Sequence, residues 1–197
     1  MTPWVDAAGT AHATAAEARI VCLVPSLTEL LCDLGLAGQL VGRTGFCIHP
    51  REVLRSVAKI GGTKDVDIDR VRALEPTHVI VNIDENTRET AERLAQCVPN
   101  LIVTHPLGPL DNPPLYRLLG GIFGRSAEAE SVKARTTEIK GQIQSLAAEL
   151  EQLEGQEREQ LLRLPNMPHA SVPAGKSAED NVVVAEWSPE WSLAADA

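Results

Sequence analysis

The stretch that decides the fold is Arg19-Ile-Val-Cys-Leu-Val-Pro-Ser-Leu-Thr-Glu-Leu-Leu31. Its residues 20–24 form a continuous apolar run, which predicts a short strand buried on both faces. Pro25 ends that run, and Ser26 follows in the position to cap a helix, with Glu29 three residues later as in a capping box. Leucines at 27, 30, 31 and 34 then give a helical stripe that Gly35 ends.

The same alternation continues along the chain. Short apolar segments at 40–41, 78–81 and 101–103 predict strands, and 67–74, 87–97 and 112–123 predict helices. A helical turn is predicted within 48–56, and Gly61-Gly62 predicts a turn. Strands that alternate with helices indicate parallel βαβ units. The predicted fold class is therefore α/β: one parallel βαβ lobe, followed by a long coiled-coil-like α-helix and an irregular tail.

The long helix is predicted over residues 126–163, where no proline occurs. Ile139, Ile143, Leu146, Leu150 and Leu153 are separated by steps of 4, 3, 4 and 3, the spacing of a coiled-coil seam. The alternative is an amphipathic helix that lies on its own domain. Since such a helix is about 57 Å long at ~1.5 Å per residue, it exceeds what one small lobe covers. We expect a homodimer through this seam, with its orientation undetermined.

The predicted domains are a lobe at 1–125, the heptad helix at 126–163, and a linker-like segment with a loose tail at 164–197. Prolines at 165, 168 and 173 end the helical pattern. Residues 181–184 have the composition of a short strand. The last twelve residues, 186–197, predict a loose tail.

Composition excludes several classes of function. The formal net charge of -9 disfavours general binding to nucleic acid. No apolar run reaches the ~20 residues of a membrane span, and the N-terminal Met-Thr-Pro-Trp lacks the features of an export signal. We therefore expect a cytoplasmic protein. The four cysteines form no Cys-x-x-Cys pair, which argues against a structural zinc site.

The predicted ligand site follows from the sheet, since ligands of open parallel sheets bind beyond the carboxyl ends of the strands. The residues that follow the predicted strands are Pro25-Ser26, then 43–46, 82–85 and 104–106. Four polar loops thus converge on one edge. The ligand-binding residues predicted there are Ser26, Arg43, Phe46, Asn82, Glu85 and His105.

Catalytic and metal-binding patterns are weak. Cys47 and His49 have soft-metal ligand chemistry, but their spacing favours a structural turn over a metal site. His78 begins an apolar strand and is expected to be a core or edge histidine. No Ser–His–Asp order, nucleophile elbow or phosphate-loop spacing is present. The sequence therefore predicts no enzyme activity, no catalytic residue and no resident cofactor.

Residues 19–31 resemble the opening of cobalamin- and iron-chelate-binding proteins, the solute receptors of ABC importers in which a rigid helix joins two lobes. The resemblance continues through Phe46-Cys-Ile-His-Pro50, Ile60-Gly-Gly-Thr-Lys64, Leu74-Glu-Pro-Thr-His78 and Val103-Thr-His-Pro-Leu107, and covers about 3–130. It implies a hairpin around Asp6 and Gly9, a corrinoid or ferric chelate as ligand, and an ABC permease as partner. Glu89 lies near the implied permease-docking position. The second lobe of that family is absent from this sequence.

A second resemblance follows the first along the chain. Leu161-Leu-Arg-Leu-Pro-Asn-Met-Pro-His169 and Ser171-Val-Pro173 with Gly175-Lys-Ser177 resemble seryl-tRNA synthetase, at its junction after the tRNA-binding arm. This likeness covers about 131–185 and includes no catalytic residue of that family.

Three hypotheses follow. The leading one is a non-catalytic ligand-binding module, half of a receptor for cobalamin or an iron chelate. The alternative is a truncated synthetase-related fusion with an RNA-binding or structural role and no aminoacylation activity. The third is a fusion that binds no ligand.

Overall fold

The computed structural model describes residues 3–164 and 174–183. Its strands, in chain order, are β1 (Trp4–Val5), β2 (Ala11–His12), β3 (Ile20–Cys22), β4 (Leu40–Arg43), β5 (Ala58–Lys59), β6 (His78–Asn82) and β7 (Asn100–Thr104). The last five form one sheet in the order β5-β4-β3-β6-β7, with every pairing parallel. The α/β fold with a parallel sheet is thus confirmed.

The helices connect these strands. They are α1 (Pro25–Asp33), α2 (Arg51–Leu54), α3 (Ile68–Ala73), α4 (Arg88–Ala95), α5 (Asn112–Ile122) and α6 (Ser126–Arg163), with short 3₁₀ turns at Ala37–Gln39, Pro109–Asp111 and Ala178–Asp180. Asp67, an aspartate at the start of the predicted helix 67–74, is the N-cap of α3 as that residue type indicates, and it accepts a hydrogen bond from the Arg70 amide. Thr87 caps α4 by accepting a hydrogen bond from the Thr90 amide. Among the described helices, none combines the length and apolar character needed to cross a membrane.

The core consists of two layers, one on each face of the sheet. Alternate residues of β3 and the segment after it enter opposite layers, since side chains alternate along a strand. Ile20, Cys22 and Val24 pack with α1 and α5, whereas Val21 and Leu23 pack with α3 and α4. All five side chains are 0–1% exposed. The strand predicted to be buried on both faces is therefore confirmed.

The predicted hairpin around Asp6 is present as the antiparallel pair β1–β2. The buried Asp6 carboxylate accepts hydrogen bonds from the backbone amides of Ala8 (2.9 Å) and Thr10 (2.8 Å) within the hairpin. It also accepts one from the Val103 amide of β7 at 3.0 Å and lies 3.0 Å from Nε2 of His12. One carboxylate therefore fastens the hairpin to the edge of the main sheet.

The structure corrects two local predictions and adds one strand. Ser26 does not cap α1: the N-cap is Val24 and the helix begins at Pro25, whose fixed φ suits the first helical position. The strand β5 was not predicted, because two exposed residues give no apolar run. The strand predicted at 181–184 is wrong for residues 181–183, which are irregular, while residue 184 lies outside the described part of the chain.

The long helix has the predicted bounds, Ser126–Arg163. Near its start, Ala129 is buried and Val132 packs against the core of the lobe. The five seam residues are all exposed, from 43% at Ile139 to 64% at Leu146. The chain forms two compact units, Met1–Gln144 and Ser145–Ala197. The three-domain division 1–125, 126–163 and 164–197 stays a prediction, and the predicted tail lies outside the described residues.

Candidate functional site

Five loops, one after each parallel strand, meet at the carboxyl edge of the sheet. Because the five strands are parallel, their carboxyl ends lie on the same edge. The sequence predicted four of these loops; the loop after β5 completes the set. We call this edge, with residues 24–26, 44–49, 60–66, 83–87 and 105–108, the rim.

The side chain of Arg43 holds the loop after β4 through hydrogen bonds to backbone carbonyls. The Arg43 side chain is 7% exposed and donates hydrogen bonds from Nε to the Leu54 carbonyl (3.1 Å) and from Nη1 to the carbonyls of Cys47 (2.8 Å) and Thr44 (3.2 Å). These bonds fix the path of the loop and leave Phe46 at its outer side, 65% exposed.

The Cys47 thiol is buried beneath the same loop, close to two threonine hydroxyls. The Thr28 hydroxyl lies 3.1 Å from its sulfur and the Thr44 hydroxyl 3.2 Å from it. His49, by contrast, is exposed. Over residues 3–164 and 174–183, no three His, Cys, Asp or Glu side chains are grouped closely enough to hold a metal ion.

The loop after β5 is tied to its neighbours on both sides. The Gly45 amide donates to the Gly61 carbonyl at 2.8 Å, and the Asn86 side-chain amide donates to the Thr63 carbonyl at 2.8 Å. Gly61 has φ +108°, and a Cβ there would lie 2.3 Å from the Asp65 carbonyl oxygen, so only glycine fits. This tight turn is the structural reason for glycine at position 61.

The loop after β6 is organised by two asparagines. The Asn82 side-chain oxygen accepts from the amides of Asp84 (2.7 Å) and Glu85 (3.3 Å). The Asn86 side-chain oxygen accepts from the Asn82 amide at 2.9 Å. Asn82 is buried, so its oxygen shapes the loop rather than facing the open rim.

Two acidic residues, Asp84 and Glu85, follow one another in this loop, and Asp84 lies close to a histidine of the loop after β7. Nε2 of His105, in the loop after β7, lies 3.4 Å from a carboxylate oxygen of Asp84. Burial raises the pKa of Glu85, and the neighbouring Asp84 carboxylate raises it further. The charged form of Glu85 is therefore disfavoured in the folded protein. Groups with such perturbed pKa values concentrate at functional sites.

The rim also exposes large apolar side chains. Phe46, Ile83 and Leu107 are 51–78% exposed, and Leu110 beside them is 83% exposed. Two cavities lie at the β6–β7 side. One of about 370 Å³ includes Asn82, Ile83 and Asn86, and one of about 240 Å³ includes His105 and Pro106. A face with apolar side chains around a few polar groups is typical of a binding surface.

The other predicted residues have clear positions. Ser26 is exposed in the first turn of α1, at the rim. Glu89 is exposed in the first turn of α4. His78 is buried, with Nδ1 2.9 Å from the Thr77 hydroxyl and its ring edge-on to Phe123 at 5.3 Å. The prediction that His78 is a core histidine is confirmed, and burial lowers its pKa, as does the nearby His12.

Comparison with known proteins gives two groups of similarity. The family model described as periplasmic binding protein matches residues 20–164, well over half of the chain. The heme-binding protein RhuT from Roseiflexus sp. RS-1 superposes with a TM-score of 0.60 at 26% identity, covering 68% of this chain and 51% of that one. The vitamin B12 binding protein BtuF of Vibrio cholerae gives 0.50 at 18% identity, covering 67% and 51%, and shows the fold alone.

The second group is a set of serine–tRNA ligases. That of Bordetella avium is 39% identical over 75 residues, which is 38% of this chain and 17% of the ligase. Both predicted resemblances are thus confirmed. The chain spans about half the length of the binding-protein structures and less than a fifth of the curated ligases that it matches.

The raised pKa of Glu85 predicts a pH-dependent gain in stability for Glu85→Gln. On raising the pH, the unfolded state loses this proton at the ordinary pKa and the folded state loses it later, so wild-type stability falls across that interval. We expect Glu85→Gln to have the higher midpoint of thermal unfolding at pH 7. The difference should vanish below about pH 4, near and below the ordinary pKa of a glutamate. A midpoint unchanged at pH 7, or raised equally at pH 3.5, would contradict this assignment.

Proposed function

The chain belongs to the periplasmic binding protein family, and on this basis we propose that its lobe is a non-catalytic ligand-binding module that resembles half of an ABC-transporter solute receptor. The observation that carries the proposal is the rim, where exposed apolar side chains surround polar groups on rigidly held loops. Burying one such side chain contributes about 1.5–3 kcal/mol, so the surface is suited to a large ligand with apolar faces.

The proposed contacts lie on different loops of the rim. Phe46 offers a flat apolar surface and Ser26 a hydroxyl. His105 lines the smaller cavity of the β6–β7 side, and Glu85 is adjacent in sequence to Asn86, which lines the larger one. Asn82 lines the larger of those cavities and keeps its loop in shape. Arg43 belongs to the site through the loop that it holds beneath Phe46.

The proposed ligand is a corrinoid or a ferric chelate. The proteins of similar fold include receptors for heme and for vitamin B12, both large planar metal complexes. His105 supplies an imidazole at the rim that would coordinate cobalt or iron. A lone lobe provides only part of the contact surface, so we expect weak binding unless a second protein covers the other face of the ligand.

The proposal also includes a partner protein and a cellular location. Exposed Glu89 is the proposed docking residue for an ABC permease. The cytoplasmic location stays a prediction made from the N-terminal sequence, whereas the family is named for the periplasm.

The alternative is a synthetase-related fusion with an RNA-binding or structural role. The similarity to serine–tRNA ligases favours it, although the acidic character of residues 126–163 opposes contact with RNA phosphates. His169, within the resembling junction, lies outside the described residues. The ligase similarity covers 17% of the Bordetella avium enzyme, so we propose that aminoacylation is absent.

Spectral titration tests the leading proposal. We expect purified protein to change the visible spectrum of aquocobalamin or of a ferric chelate, since His105 would enter the coordination shell of the metal. Phe46→Ala should raise Kd about tenfold, the equivalent of about 1.4 kcal/mol. His105→Ala should reduce the spectral change, while the control His169→Ala should leave it unaltered. Equal losses in His105→Ala and His169→Ala would show that the rim is not the site.

The alternative is tested by ATP–pyrophosphate exchange with serine. We expect exchange at the level of a buffer control, because the residues for adenylate chemistry were not found in the sequence. Serine-dependent exchange clearly above that control would require a catalytic site, and would replace the binding-module proposal.

The exposed seam of α6 predicts a homodimer. Its five aliphatic side chains are 43–64% exposed, and burying each stabilises an assembly by about 1.5–3 kcal/mol. We expect light scattering to give the mass of a dimer at tens of micromolar, and Leu146→Lys with Leu150→Lys to give a monomer. The matched control, Ala148→Lys with Gln152→Lys, adds the same charge on another face of the helix. A monomeric wild type would show that the seam has no second copy as its partner.

A further inference from the structure

A cavity on the β4–β5 side of the lobe is lined by basic side chains. Its volume is about 510 Å³, and Arg43, His49, Arg51, Arg55 and Lys59 line it together with Gly45, Ile48 and Leu54. It shares no lining residue with the two cavities at the β6–β7 side. No acidic side chain is among its lining residues, although the chain as a whole carries a net charge of -9. Such a concentration of positive charge requires an explanation.

Arg43 is the innermost of these groups. Its guanidinium is buried, with Nε and Nη1 bonded to backbone carbonyls. Nη2 makes no hydrogen bond within residues 3–164 and 174–183 and is accessible to solvent. In the same residues no carboxylate forms an ion pair with Arg43. The guanidinium is thus mostly desolvated and bonded to carbonyls, while Nη2 is still reached by solvent, and a bound anion would supply the counter-ion that such a charge lacks. The unused nitrogen of a residue that lines the cavity indicates where a negative group would bind.

Four of the basic side chains that line the cavity form two pairs of like charge. Arg43 and Lys59 are register partners on the adjacent parallel strands β4 and β5, so their side chains leave the same face of the sheet. Arg51 and Arg55 are four residues apart along α2 and its C-cap, a spacing at which like charges repel. Glu52 is 3.5 Å from Arg55, but both are highly exposed, so that pair offsets little. An anion in the cavity would relieve both repulsions.

We propose that this cavity is a binding site for a compact polyvalent anion that carries phosphoryl or carboxylate groups. Arginine guanidinium groups hold such groups with paired hydrogen bonds, and Lys59 adds a point charge on the adjacent strand β5. The volume accommodates an anion of the size of pyrophosphate or citrate. The same chemistry is supplied by a free anion or by a carboxylate arm of a bound chelate. Gly45, Ile48 and His49 also belong to the rim, but the basic side chains Arg51, Arg55 and Lys59 lie outside it, so the inference does not require that the rim bind a corrinoid or ferric chelate.

Calorimetric titration with inorganic pyrophosphate, at constant ionic strength, tests the site. We expect saturable 1:1 binding to the full chain. Because Arg43 also holds the β4 loop, the test variant is Arg51→Gln with Lys59→Gln, two exposed positions whose loss should leave the fold intact. It should weaken pyrophosphate binding at least tenfold. The control, Arg72→Gln with Arg93→Gln, removes the same charge from exposed positions outside the cavity and should bind as the wild type does.

Two further binding measurements identify the source of the anion. If ferric citrate competes with pyrophosphate, the site takes the carboxylate arm of a chelate; if pyrophosphate binds without such competition, it takes a free anion. Phe46→Ala should not alter pyrophosphate binding, so failure of the rim proposal and failure of this one are distinguishable. Absence of saturable pyrophosphate binding, or equal weakening in both double variants, would overturn the inference.

Discussion

The burial of β3 on both faces is the constraint on which the rest of the structure depends. A strand without any exposed face must have its backbone paired on both sides and both rows of side chains covered. In this chain β4 and β6 pair with it in parallel, and helices cover each face. Parallel pairing brings all the loops that follow the strands to one edge. The rim is therefore a consequence of the way in which five apolar residues, 20–24, are kept from water.

The rim loops are held in place by hydrogen bonds made by buried polar side chains. Arg43 binds three carbonyls of the segment after β4, and the Asn82–Asn86 pair shapes the loop after β6. Apolar side chains such as Phe46 and Ile83 are consequently presented to the outside on a fixed backbone. Pre-organisation of this kind lowers the entropic cost of binding.

Two sequence families meet in this chain, and α6 is compatible with both. The match to the periplasmic binding protein family extends to residue 164, which includes the whole of α6. The resemblance to seryl-tRNA synthetase was predicted over about 131–185 and therefore overlaps that helix. A helix with one apolar seam is compatible with either family, because the seam requires only another apolar surface to pack against. The seam is exposed along Ile139–Leu153 in the described chain, which is the basis for expecting a second copy.

Local sequence patterns are sufficient to predict the elements whose apolar side chains recur at regular spacing or whose first residue is a capping residue. The apolar run at β3, the leucine stripe of α1, the Asp67 cap of α3 and the seam of α6 were predicted because each pattern is local. Other features depend on contacts between residues that are distant in the sequence. β5 exists because β4 offers it a free edge, and Arg43 turns inward because the carbonyls of Leu54 and Cys47 lie there. Arg43 and Lys59, which are 16 positions apart in the sequence, become neighbours through the register of β4 and β5. That register is set by packing across the whole sheet rather than by local sequence.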